Sequence, residues 1–155
     1  MPAIEFERTV SAPRERVWAV ISDHEGFGEA APNLSRVEVT EGDGLGMKRR
    51  CYDAKGRGWA ETCTLWEEGR SYAFEVDTSD YPYPFSRMAG TWGAEPAATG
   101  TRITMRYEYE LRRSVLGKLI DPIVRLSFRR ACARILDRWE ASAVGAETDE
   151  GVVAA

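Results

Sequence analysis

Arg102-Ile103-Thr104-Met105-Arg106-Tyr107-Glu108-Tyr109-Glu110-Leu111 is the stretch that decides the fold. Ile103, Met105, Tyr107 and Tyr109 alternate with Arg102, Thr104, Arg106, Glu108 and Glu110, the period of two that gives a strand one apolar and one polar face. The odd positions point inward. Upstream, Ser35–Glu41, Gly46–Tyr52, Trp59–Trp66, Ser71–Asp77 and Ser86–Ala94 carry the same kind of signal. They are separated by turn residues such as Glu41-Gly42-Asp43-Gly44, Asp53-Ala54-Lys55-Gly56, Glu67-Glu68-Gly69 and Ala97-Ala98-Thr99-Gly100. Strands at hairpin spacing predict an antiparallel meander. Ile4–Val10 adds a strand at the start. Pro13 to about Ser22, with Val17, Trp18, Val20 and Ile21 on one side, predicts a short helix, and Gly26–Ala31 predicts a second turn or two.

Downstream, Val115–Leu119 opens a helical pattern, and Asp121 is placed to cap a long helix from Pro122 to about Val144. At 100° per residue, Val124, Phe128, Ala131, Cys132, Ile135, Leu136 and Trp139 share one face, with Arg130, Arg134 and Arg138 on the other. A helix with one apolar stripe must lie against something, and the only large apolar surface available is a face of the sheet. The expected class is α+β: a strongly curved antiparallel sheet of about seven strands wrapped on a long C-terminal helix, with two short helices after strand one. Residues 1–146 form a single ligand-binding domain and 147–155 a flexible acidic tail.

The chain has 155 residues, 43% of them apolar and 30% charged, enough for one core without disulfides or a structural metal. No apolar run approaches the roughly 20 residues of a membrane-spanning helix, and the first residues lack the features of a signal peptide. A cytoplasmic location is expected. Cys51, Cys63 and Cys132 are odd in number and are expected to be free thiols. His24 is the single histidine, so a zinc site lacks ligands. Walker-type loops, Gly-x-Gly-x-x-Gly and the Gly-x-Ser-x-Gly elbow are missing, and no cofactor is expected. From Arg112 to Arg138, eight basic residues (Arg112, Arg113, Lys118, Arg125, Arg129, Arg130, Arg134, Arg138) face only Asp121 and Asp137, within a chain of net charge −4. Such a stripe is either the solvated side of a helix or a dock for an acyl carrier protein or an anionic membrane surface. Nucleic-acid binding has no motif to support it.

The order of elements resembles the helix-grip fold of the START-like (SRPBCC) superfamily, in particular the polyketide cyclase/dehydrase and lipid transport family. The residues that carry the resemblance are Ala12-Pro13-x-x-x-Val17-Trp18 with Asp23, Gly46-x-x-Arg49-x-Cys51, the strand holding Glu61, Trp66-Glu67-Glu68-Gly69-Arg70 and Gly100-Thr101-Arg102-Ile103-Thr104. None is a catalytic signature, so the resemblance speaks for structure more than for chemistry. It implies a deep, largely apolar cavity between sheet and helix, suited to a polyketide, lipid or aromatic ligand.

Strand parity assigns side chains to that cavity. Met105, Tyr107 and Tyr109 face it from the last strand, Met88, Gly90 and Trp92 from the one before, with Gly90 leaving room beneath a ligand. On Trp59–Trp66 the resemblance selects Trp59, Glu61, Cys63 and Leu65, and the same parity puts Met47, Arg49 and Cys51 inward. Tyr72 and Phe128 complete the wall. Arg49 and Glu61 become cross-strand or diagonal neighbours, and each needs the other if both are buried. They are either an acid/base pair acting on a substrate or a satisfied structural ion pair. His24, expected near the cavity mouth, is a candidate acid/base or a surface or capping residue. Tyr81-Pro82-Tyr83-Pro84-Phe85 reads as a lid or a stiff hairpin connection. Two functions stay open: cofactor-free cyclisation or dehydration of a polyketide-like substrate, and a carrier or sensor of a lipophilic ligand.

Overall fold

The computed structural model describes residues 2–112 and 115–154. The strands are β1 (Ala3–Val10), β2 (Leu34–Glu41), β3 (Lys48–Asp53), β4 (Gly58–Glu67), β5 (Ser71–Val76), β6 (Phe85–Ala97) and β7 (Gly100–Leu111), and the helices are α1 (Arg14–Ile21), α2 (His24–Ala30) and α3 (Val115–Ala154). All the strands form one sheet in the order β1-β7-β6-β5-β4-β3-β2, antiparallel throughout. β2 to β7 is the expected meander, and β1 returns to pair with β7. This is the helix-grip arrangement.

Alternation sets the core. Ile103, Met105, Tyr107 and Tyr109 are buried, as are Met88 and Trp92, Met47, Arg49 and Cys51, and Trp59, Glu61 and Cys63. Leu65 breaks the expected parity, being 37% exposed. A register shift between Cys63 and Leu65 is the reason, because an extra residue on one strand reverses the facing of the residues beyond it. Cys132, Ile135, Leu136 and Trp139 of α3 complete the core, and the three cysteines are free thiols.

The helices differ from expectation at two places. α2 starts at His24, earlier than the Gly26 expected, because Asp23 caps it by accepting the Gly26 amide at 3.1 Å. α3 is continuous, with Pro122 inside it and its end past Val144. Asp121 is no cap there, since its carboxylate is engaged sideways, accepting the Tyr109 hydroxyl at 2.6 Å and Arg125 Nε at 2.9 Å. That tertiary anchor overrides the local preference of a proline to start a helix. Arg113 and the side chains of Lys118 and of the acidic tail lie outside the described residues. Among the described residues no helix is long and apolar enough to cross a membrane.

Gly90 has a packing role as well. A Cβ there would lie 2.4 Å from Cη2 of Trp92, so the glycine makes room for that indole at the wall of the cavity. Tyr72 stacks on the same ring at 5.3 Å and Tyr107 meets it edge-on at 5.6 Å, which restricts how far the indole can retreat. Gly90→Ala should therefore lower stability by about 1–3 kcal/mol through overpacking, read as a lower urea midpoint at unchanged slope. An unchanged midpoint would mean that the ring is not held there.

Candidate functional site

β3 and β4 pair so that Arg49 stands directly opposite Glu61, and both side chains point to the concave face. Arg49 is 2% exposed and Glu61 8%. Glu61 Oε2 accepts from Arg49 Nε at 2.8 Å and from Nη2 at 2.7 Å, and Oε1 accepts the Trp59 indole N–H at 3.0 Å. Arg49 Nη1 meets His24 Nδ1 at 3.2 Å. The guanidinium lies over the Phe74 ring, with Cζ 3.8 Å from its centroid, a cation–π contact strengthened by desolvation. Burial works against the arginine's charge, but the adjoining Glu61 outweighs it and holds the pKa above its ordinary value.

His24 is brought to this pair, yet not to a cavity mouth. It is 6% exposed, with Tyr72 and Phe74 edge-on to its ring at 5.1 and 5.2 Å. As the first residue after the Asp23 cap it turns inward, behind Arg49. Burial, and then the Arg49 charge, lower its pKa to about 4. An arginine can only donate, so Nδ1 accepts and the neutral ring carries its proton on Nε2, which has no partner among the described residues.

In front of Arg49 and Glu61 lies a cavity of about 90 Å³. Of the expected lining, Arg49, Glu61, Trp59, Met88, Gly90, Trp92, Tyr107 and Phe128 border it. Cys51, Cys63, Tyr72, Met105 and Tyr109 are buried but do not. Tyr72 gives its hydroxyl to the Ile21 carbonyl, Cys63 Sγ faces the Leu65 carbonyl, and Tyr109 is tied to Asp121. Phe27, Asn33, Leu34, Phe74 and Val76 line the cavity without having been singled out, beside Tyr81 of the Tyr-Pro connection and Ala131, Cys132 and Ile135 of the apolar stripe of α3. Phe74 and Val76 had a signal, since they continue the alternation that starts at Tyr72. Asn33 and Leu34, at the junction of α2 and β2, had none.

The space is shallower than expected because the rings of Tyr72, Phe74, Trp92 and Tyr107 fill much of the interior. A second hollow of about 260 Å³ lies farther out, between the 77–84 connection and α3, and both spaces are bordered by Asn33, Tyr81, Phe128 and Ala131. Tyr81 thus stands between them, packed on Trp59 at 5.0 Å. Burial, and then Glu61, keep its phenol protonated far above the ordinary range. The connection is tied down by the Tyr83 hydroxyl, which donates to buried Asp53 at 3.4 Å, and by Arg112, which donates to the Thr78 carbonyl at 3.3 Å. Among the described residues no His, Cys, Asp and Glu side chains gather as a metal site.

Removing one member of a buried ion pair strands the other, so Arg49→Met and Glu61→Met should each cost about 3–5 kcal/mol, and the double variant less than either. Urea unfolding of the three variants checks this; additive losses would contradict it. His24 should titrate near 4 by NMR, against 6.5 when unfolded. Between those values the unfolded chain binds the extra proton. Stability present above pH 6.5 should therefore be lost as pH falls to 4, by at most on the order of 3 kcal/mol, and His24→Gln should flatten that dependence.

The chain resembles a crystal structure of TTHA0849 from Thermus thermophilus, at 27% identity over 94% of this chain and 99% of that one, with a TM-score of 0.75. It superposes on the Zhui aromatase/cyclase from Streptomyces sp. R1128 at 19% identity, covering 92% and 93% of the two chains with a TM-score of 0.76. It also superposes on a norcoclaurine synthase point mutant from Thalictrum flavum at 15% identity, covering 94% and 96% with a TM-score of 0.72. The last two likenesses show a common fold. No curated protein matches the chain in sequence. The family model described as polyketide cyclase / dehydrase and lipid transport matches residues 1–144, and the chain belongs to that family.

Proposed function

We propose that the protein binds a hydrophobic, oxygen-bearing small molecule between α3 and the sheet, and cyclises or dehydrates it without a cofactor. The observation that carries this reading is the Arg49–Glu61 pair on the wall of an otherwise largely apolar cavity. A carbonyl oxygen facing Arg49 would be stabilised as it gains enolate charge. Glu61 would take the α-proton. The enolate carbon then bonds to a second carbonyl carbon as that carbonyl's π bond breaks, and Glu61 returns its proton to the resulting alkoxide. For dehydration Glu61 takes a second α-proton and passes it to that hydroxyl, which leaves as water as the carbon–carbon double bond forms. Exclusion of bulk water and positioning by the aromatic walls supply the rest. His24, low in basicity and committed to Arg49, acts as a positioning residue. The inner space alone is below the usual 300–1,000 Å³ of ligand pockets; displacement of Tyr81, which borders both spaces, would join it to the outer hollow.

Carriage without chemistry has its own support, because both oxygens of Glu61 and all three nitrogens of Arg49 are already engaged. Native mass spectrometry of protein purified mildly, together with turnover of a poly-β-keto thioester, separates the two. Turnover lost in Glu61→Gln, with the fold kept by circular dichroism, is expected of the enzyme. An apolar ligand released unchanged, with no turnover, would establish the carrier.

Docking of an acidic carrier protein belongs to the same proposal and is supported by the exposure of Arg129, Arg130, Arg134 and Arg138 on α3. Changing Arg130, Arg134 and Arg138 together to glutamate should weaken carrier binding at low salt. Unchanged affinity would remove this surface, and binding only to anionic vesicles would replace the carrier by a membrane.

A further inference from the structure

Trp18 and Trp66 each give the indole N–H to Glu68, and Trp59 gives its own to Glu61. Trp92 differs. It is 4% exposed, and although the Tyr107 hydroxyl lies close by, among the described residues its Nε1 has no partner at good hydrogen-bond geometry. Leaving a buried donor unmet costs about 1–3 kcal/mol, and buried indoles ordinarily find an acceptor.

Its position explains what the acceptor would be. Trp92 borders the cavity together with Tyr107 and Cys132, and the Arg49 guanidinium carbon is 5.7 Å from the centre of its ring. Both polar places on the wall are therefore within reach of one substituted ring. His24 Nε2, also without a partner among the described residues, is walled in by Trp66, Tyr72 and Phe74 and does not border the cavity.

We infer that the Trp92 indole N–H donates to an oxygen of the bound molecule, and that this donor makes the cavity select oxygenated aromatic ligands over hydrocarbons of the same shape. The inference rests on the ligand-binding reading and narrows it. A purely aliphatic guest would leave the N–H unmet, whereas a ketone or phenolic oxygen satisfies it and leaves a second substituent free to face Arg49 and Glu61.

Acetophenone and α-methylstyrene are probes of nearly identical outline that differ by an oxygen in place of a methylene. Relative to their partition between water and hydrocarbon, the ketone should bind roughly three- to tenfold more tightly. Its carbonyl stretch should move to lower frequency in the complex. One indole resonance of the five tryptophans should move downfield with the ketone alone, a readout that needs no variant. Trp92→Phe keeps a ring in place and should abolish the preference while still binding α-methylstyrene. Binding of both probes with no preference and no indole shift would overturn the role of Trp92 and leave the apolar pocket standing. Failure of both to bind would remove the ligand-binding reading, and this one with it.

Discussion

A guanidinium held away from water is the constraint on which the rest of the structure depends. Arg49 is neutralised by Glu61, capped by an imidazole nitrogen and faced by the Phe74 ring. Each partner comes from a different element: β4, α2 and β5. The register of β3 against β4 is thereby fixed, because a slip of β4 by one residue would turn Glu61 to the outer face and leave Arg49 buried opposite Thr62 or Ala60. Burial, and then the same cation, keep His24 neutral. Chemistry and architecture thus draw on one set of contacts.

The second determinant is ring packing. Trp92 occupies the space above Gly90, Tyr72 lies flat against it and Tyr107 closes its edge. These rings convert what strand curvature alone would leave as a deep trough into a small inner chamber. Tyr81 and Phe128 border both that chamber and the outer hollow, so room for a guest is decided by side chains and not by the path of the backbone.

The fold was legible because its signals are periodic. The Ile103–Tyr109 alternation, the turn residues between strands and the apolar stripe of α3 each recur often enough to outvote a local exception. The facing of Arg49 and Glu61 followed from the same parity, aided by family resemblance for β4. What stayed hidden depends on contacts between distant residues. The burial of His24 follows from the Asp23 cap, the exposure of Leu65 from a bulge, and the continuity of α3 through Pro122 from Tyr109 reaching Asp121. Cys51, Cys63, Met105, Tyr72 and Tyr109 show the limit of parity: facing inward is necessary for bordering a cavity, but helices and neighbouring rings cover some inward positions completely.

Asp53 ends β3, the strand that carries Arg49. Its carboxylate accepts the amides of Lys55 and Arg57 at 2.9 Å each, Arg57 Nε at 2.8 Å, and the phenol of Tyr83 on the connection that overhangs the outer hollow. One small acid therefore both closes the β3–β4 turn and tethers the connection that carries Tyr83. The rung that carries the buried cation and the segment overhanging the outer hollow share one anchor, so that a shift of either pulls on the same carboxylate.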